Sequence, residues 1–146
     1  MRNLCQLDEL GLSCMGCCGH DLGSKKDVET GLRLNTMSYA DAPDKEAWGR
    51  REKEFVRSCG ICYNLIKCKK EIFCPLHPLR NDGKDLRDDV CDQEHLCKAF
   101  FCFQTWSEEK QQAFINFIAS KHLDWFSYSV GMDDDSLLKE FEQLQN

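Results

Sequence analysis

The chain has 146 residues, of which 42% are hydrophobic, with three prolines and nine glycines; this suits one ordinary domain with a modest core and excludes a disordered or repetitive chain. Its formal charge of −6 argues against general nucleic-acid binding, which draws most of its affinity from basic charge, and leaves only a local basic patch. No run approaches the roughly 20 apolar residues that span a bilayer, and the opening Met1-Arg2-Asn3-Leu4-Cys5 has no signal-peptide character, so a cytoplasmic, reducing setting is expected.

Along the chain, residues 1–20 form a cysteine-bearing lead-in ending in Cys14-Met-Gly-Cys17-Cys18-Gly19-His20, where Gly16 and Gly19 permit a tight loop. Ser24-Lys-Lys-Asp27 predicts a helix start capped by Ser24, two or three turns long, with Val28, Leu32 and Leu34 as its apolar face. Residues 35–43 read as a polar loop. Asp41-Ala-Pro43 then predicts a second helix over Asp44 to Arg57, with Trp48 and Phe55 on one face. Arg50, Arg51, Lys53 and Arg57 make that segment basic, and a solvated face is its ordinary reading.

Residues 58–104 hold most of the eleven cysteines and lack sustained apolar periodicity. Such a stretch is expected to order around something other than a core. Beyond it, Thr105-Trp-Ser-Glu108 reads as a capping box for a helix bearing Ala113, Phe114, Phe117 and Ile118. Leu123 to Val130 either extends that helix or packs irregularly. Its aromatics Trp125, Phe126 and Tyr128 are candidates for a protein-contact surface, with core packing as their ordinary fate. Gly131 and Asp133-Asp-Asp135 mark a break, and Leu137, Leu138, Phe141 and Leu144 define a last amphipathic helix. No strand is predicted. The expected fold is mostly α: a small cysteine-rich, metal-organised domain, with region 1–104 carrying the cysteines and a helical segment 105–146 packed on it as a single domain.

The cysteines carry the chemistry. Their number is odd, Cys17 and Cys18 are adjacent, and the remaining spacings are short, all of which argue against a disulfide framework. Cys14-x2-Cys17 and Cys59-x2-Cys62 are steps of the kind whose turn aims two thiolates at one point. Cys68, Cys74, Cys91, Cys97 and Cys102 complete the groupings, and soft thiolates select zinc, copper(I) or an iron–sulfur cluster. Adjacent Cys17 and Cys18 cannot both serve one tetrahedral ion comfortably, so they either divide into ligand and neighbour or serve two metal atoms. The histidines His20, His77, His95 and His122 form no finger-like pair, and no zinc-hydrolase, deaminase or nucleophile-elbow motif is present. Glu94-His95 reads as a surface dipeptide. A thiol-redox role for Cys59-Gly-Ile-Cys62 would need the step at a helix start after a strand.

The run Cys14-Met-Gly-Cys17-Cys18-Gly19, the capped helix from Ser24, Cys74-Pro-Leu76 and Cys91…Cys97-Lys-Ala-Phe-Phe-Cys102 resemble the zinc- or iron-chelating CxCxxCC family over residues 14–102. Members are small and often described as containing an iron–sulfur cluster. The resemblance implies Cys14, Cys17, Cys18, Cys74, Cys91, Cys97 and Cys102 as chelating residues, with Cys59, Cys62 and Cys68 as additions that could form a second site. The sequence departs from the family at Leu12, where a leading cysteine is expected, with Cys5 the nearest substitute, and at Glu94-His95-Leu96, where an Arg-Pro step is expected. The resulting expectation is a metal-binding protein holding zinc or an iron–sulfur cluster, with a metal-dependent enzyme or a thiol redox or metal-handling protein as the alternative.

Overall fold

The computed structural model describes residues 3–18, 21–54, 56–87, 90–91 and 97–145, with Cys17 described by its backbone alone. His20, Phe55, Glu94 and His95 therefore lie outside the described residues. The chain forms two compact units, Met1–Cys17 with Leu96–Asn146, and Cys18–His95. These units follow contacts, whereas the boundary at 104/105 followed composition.

The first unit begins with a two-residue antiparallel hairpin. β1 (Gln6–Leu7) pairs with β2 (Leu12–Ser13) around a 3-10 turn that ends on Gly11 at φ +64°, a left-handed position that suits glycine. Four helices follow in this unit: α3 (Lys98–Thr105), α4 (Glu108–Ser120), α5 (Trp125–Asp133) and α6 (Ser136–Gln145). Phe103, Phe114, Tyr128, Met132 and Phe141 are buried with Leu4, Leu7 and Leu12, so the hairpin seals one side of a helical core. Phe114 meets Phe141 edge-on at 5.0 Å and Trp106 at 5.5 Å. Such contacts add about 0.5–1.5 kcal/mol per pair beyond area burial.

The second unit is built on α1 (Lys25–Ala40), a short α2 (Lys45–Gly49) and a second hairpin, β3 (Ile66–Cys68) with β4 (Glu71–Phe73). α1 packs its Val28, Leu32 and Asn35 face on β3. Ile61, Leu65, Ile66, Ile72 and Leu76 are all buried, together with Trp48. The middle of the chain thus has an apolar core of its own, where the sequence led to the expectation of order around something other than a core. Its apolar residues are spaced for turns and for strands of three residues, which no helical period detects.

Other expectations need correction. The two hairpins replace the predicted absence of strands; at two and three residues each, the strands are too short for alternation to show. α1 runs on through 35–40, where a loop was expected, because Asn35 and Thr36 turn inward to bond the second unit's backbone. α2 stops at Gly49, so the helix expected to reach Arg57 is only five residues long. Leu123–Val130 is neither an extension of α4 nor irregular: Asp124 caps a separate helix, which passes through Gly131. Among the described residues no helix is long and apolar enough to cross a membrane.

Candidate functional site

In the second unit, the Cys59-Gly60-Ile61-Cys62 step is a tight turn rather than a helix start. Gly60 sits at φ +97° and its amide donates to the Arg57 carbonyl at 2.8 Å, while the Arg57 amide donates to the Ile61 carbonyl at 2.8 Å. Fully buried Ile61 anchors the turn. The Asn64 amide then donates to Cys62 Sγ at 3.4 Å. Asn35 braces this segment from α1: its Nδ2 donates to the carbonyls of Cys62 (3.0 Å) and Leu65 (2.8 Å), and its Oδ1 accepts from Arg57 Nε at 2.8 Å. The Cys62 amide donates to the Cys18 carbonyl at 2.8 Å, tying the first cysteine of this unit to the turn.

Cys74 directly follows β4, and Cys62 precedes β3 by four residues. Since Ile66 pairs with Phe73, both cysteines come to the same end of the hairpin. The chain then returns through Leu86, whose amide donates to the Leu76 carbonyl at 3.0 Å, and carries Arg87 and Cys91 to this end. Burial pushes the Cys74 thiol up to about 12; a hydrogen bond from the Leu76 amide opposes this, neighbouring Cys62 and Cys91 add to it, and Arg87 opposes it. Burial likewise raises the Cys62 thiol, against hydrogen bonds from the Asn64 and Leu65 amides and the charges of Lys53 and Arg51. Lys53 is itself lowered by burial and by Arg51, while Cys62, Cys74 and Cys91 pull it back up. Three thiols thus share one half-buried neighbourhood with three cations.

Those cations are fixed rather than waving in solvent. Arg51 donates to the Trp48 and Tyr63 carbonyls, both at 2.7 Å, and to Asn64 Oδ1 at 2.8 Å, with its guanidinium 4.0 Å over the Trp48 ring. Lys53 Nζ donates to the Gly49 carbonyl at 2.8 Å. Arg87 holds Asp85 through two bonds of 2.9 and 2.8 Å, which keeps the Asp85 carboxyl at about 2. The segment read as a solvated basic face is therefore largely built into the structure.

In the first unit, the β1–β2 register continues outward to place Cys5 beside Cys14, whose amide donates to the Cys5 carbonyl at 2.9 Å. The Gly16 amide donates to Cys14 Sγ at 3.3 Å. Cys97 stands at the start of α3 without a side-chain capping bond, and Cys14, Cys97 and Cys102 press on the unit's core. Buried Tyr128 donates its hydroxyl to the Leu4 carbonyl at 2.6 Å, next to these thiols. Its phenol is raised well above the ordinary value, by burial first and then by Cys14, Cys5 and Cys97.

The remaining sequence candidates sit apart. Cys59 is buried, with its Sγ only 3.0 Å from where a Gly31 side chain would begin, and Cys68 is exposed at the end of β3. His77 caps a 3-10 turn at Pro78–Arg80 through its Nδ1, which accepts from the Leu79 amide at 3.1 Å. The structure brings Cys5 to Cys14 and Cys62 to the hairpin end that carries Cys74, neighbours that chain spacing does not announce. The Gly11 turn between Leu7 and Leu12 was the available signal for Cys5.

The ten cysteines with described side chains form no disulfide among the described residues. Among the described residues no three histidine, cysteine, aspartate or glutamate side chains converge closely enough to hold a metal ion, so the thiols are neighbours rather than a closed cage. Compared with known proteins, the chain matches no family model, no curated protein and no solved structure.

Proposed function

We propose that the protein binds metal through its thiolates, as zinc or an iron–sulfur cluster, in a structural or electron-transfer role; the resemblance to the CxCxxCC family leans the choice towards the cluster. The observation that carries this reading is the gathering of Cys62, Cys74 and Cys91 beside Lys53, Arg51 and Arg87. A four-thiolate site carries about −2 whether it holds zinc or an oxidised four-iron cluster, and fixed cations offset that charge. Main-chain amides two residues on face the sulfurs of Cys14, Cys62 and Cys74, and hydrogen bonds to sulfur favour the thiolate that a metal requires. A bound cluster would supply one-electron transfer, and zinc would supply folding free energy.

The thiol-redox alternative loses support, because the Cys59–Cys62 step lies in a hairpin-like turn, where no helix start lowers the thiol pKa. Metal and sulfide analysis of anaerobically purified protein, with its absorbance spectrum, tests the proposal. Iron with labile sulfide and a broad visible band is the expected result. Colourless zinc protein would remove electron transfer and keep the structural role. Stoichiometric disulfides without metal would overturn the proposal.

A further inference from the structure

We infer two separate four-cysteine sites, one in each unit: Cys5, Cys14, Cys17 and Cys97 in the first, and Cys18, Cys62, Cys74 and Cys91 in the second. This rests on the thiolate–metal reading above and departs from the ligand set that the family resemblance implies, since it adds Cys5 and Cys62 and leaves out Cys102.

The two sets are assembled by the same device. In each, a main-chain hydrogen bond joins two cysteines distant in sequence: the Cys14 amide donates to the Cys5 carbonyl at 2.9 Å, and the Cys62 amide donates to the Cys18 carbonyl at 2.8 Å. Cys5 and Cys14 continue the β1–β2 register, and cross-strand neighbours hold their Cβ atoms about 4.5–5.5 Å apart, a separation that two thiolates on one metal can bridge. In each, one cysteine of the pair also receives an amide two residues on, Gly16 for Cys14 and Asn64 for Cys62. A third sulfur then comes from a different element. Cys97 stands at the start of α3, where the helix dipole favours a thiolate, and Cys74 leaves the end of β4. Cys14 and Cys97 both press on the first unit's core, and Cys62 and Cys74 come to the same end of the β3–β4 hairpin.

The vicinal pair completes both sets. The boundary between the units falls between Cys17 and Cys18, so each unit holds one of two residues that could not comfortably share a tetrahedral ion. Cys17 is assigned by chain spacing alone, as the second cysteine of a CxxC step from Cys14. Three cysteines remain outside. Cys59 is packed on α1 and Cys68 is exposed at the end of β3. Cys102 lies nearly a turn and a half beyond Cys97 along α3, on a different side of the helix.

The test is native mass spectrometry of the full chain, stripped of metal, reduced and reloaded with zinc(II) under anaerobic conditions. The wild type is expected to bind two zinc ions. Cys62→Ser and Cys97→Ser should each bind one, their double variant none, and Cys102→Ser two. Far-UV circular dichroism separates lost ligation from failed folding, and one retained zinc shows that the other site still forms. No zinc on the wild type would overturn the metal reading itself. Zinc bound with a different division would overturn only the two-site inference: a single zinc on the wild type, both ions lost in one single variant, or one lost in Cys102→Ser.

Discussion

Asn35 ties α1 to three partners elsewhere in the second unit. It is fully buried, yet it satisfies two carbonyls and one guanidinium nitrogen. Asn35→Ala leaves those partners without it, and each buried group left unpaired costs about 1–3 kcal/mol. Urea denaturation of the variant should show a loss at or above that range; a loss below about 0.5 kcal/mol would mean that water replaces the amide. Gly49 poses the opposite problem. A methyl group there would stand 2.2 Å from Leu76 Cδ1, and Leu76 is fully buried. Gly49→Ala is expected to cost about 1–3 kcal/mol by overpacking and to disturb the Leu76 amide that serves Cys74. The thiols themselves give a third prediction. In reduced, metal-free protein, exposed Cys68 should be alkylated early and Cys74 late, because a value raised to about 12 leaves little thiolate near neutral pH. Labelling of Cys74 should accelerate as pH rises towards that value, read by peptide mass spectrometry. Equal rates at Cys68 and Cys74 at about pH 8 would contradict the burial described.

For whole elements, the caps explain which helices the sequence made legible. Ser24 accepts from the Asp27 amide at 3.2 Å, and Asp44 accepts from the Glu46 and Ala47 amides at 2.8 and 3.2 Å. The Ser24 start was readable because a cap is a local arrangement, whereas the second start was read from Asp41-Ala-Pro43, ahead of the Asp44 that caps it. Ser24→Ala should lower stability by about 0.5–2 kcal/mol, measurable as a shift in urea midpoint. Ends were less readable. The length of α1 depends on Thr36, whose hydroxyl accepts from the Lys67 amide at 3.0 Å, thirty-one residues away. The capping box at Thr105 was misplaced for a related reason: Thr105 closes α3, with its hydroxyl donating to the Cys102 carbonyl, and Ser107 caps α4 instead. The cysteine grouping shows the same limit. Spacing identifies Cys14 with Cys17 and Cys59 with Cys62, but the Cys5–Cys14 and Cys18–Cys62 pairs depend on strand register and long-range main-chain bonds, which spacing does not encode.

For the molecule as a whole, charge gives the clearest global signature. The metal-free chain carries −6 with its thiols protonated. Each zinc bound by four thiolates adds about −2, so full loading of two sites should deepen the deficit to about −10. Isoelectric focusing should place the loaded form below the apo form, and an unchanged position would contradict thiolate ligation. The arrangement of the units has another consequence, for the order in which the protein matures on the ribosome. The unit Cys18–His95 is one uninterrupted stretch and can fold as soon as it has emerged. The other unit joins residues 1–17 to residues 96–146, which are made later than the unit between them, so β1 and β2 must wait for α3 to α6. Throughout that interval the Cys5 and Cys14 thiols remain open to oxidation. A cell that produces this chain therefore has a timing problem at Cys5 and Cys14 that a contiguous unit would not have posed.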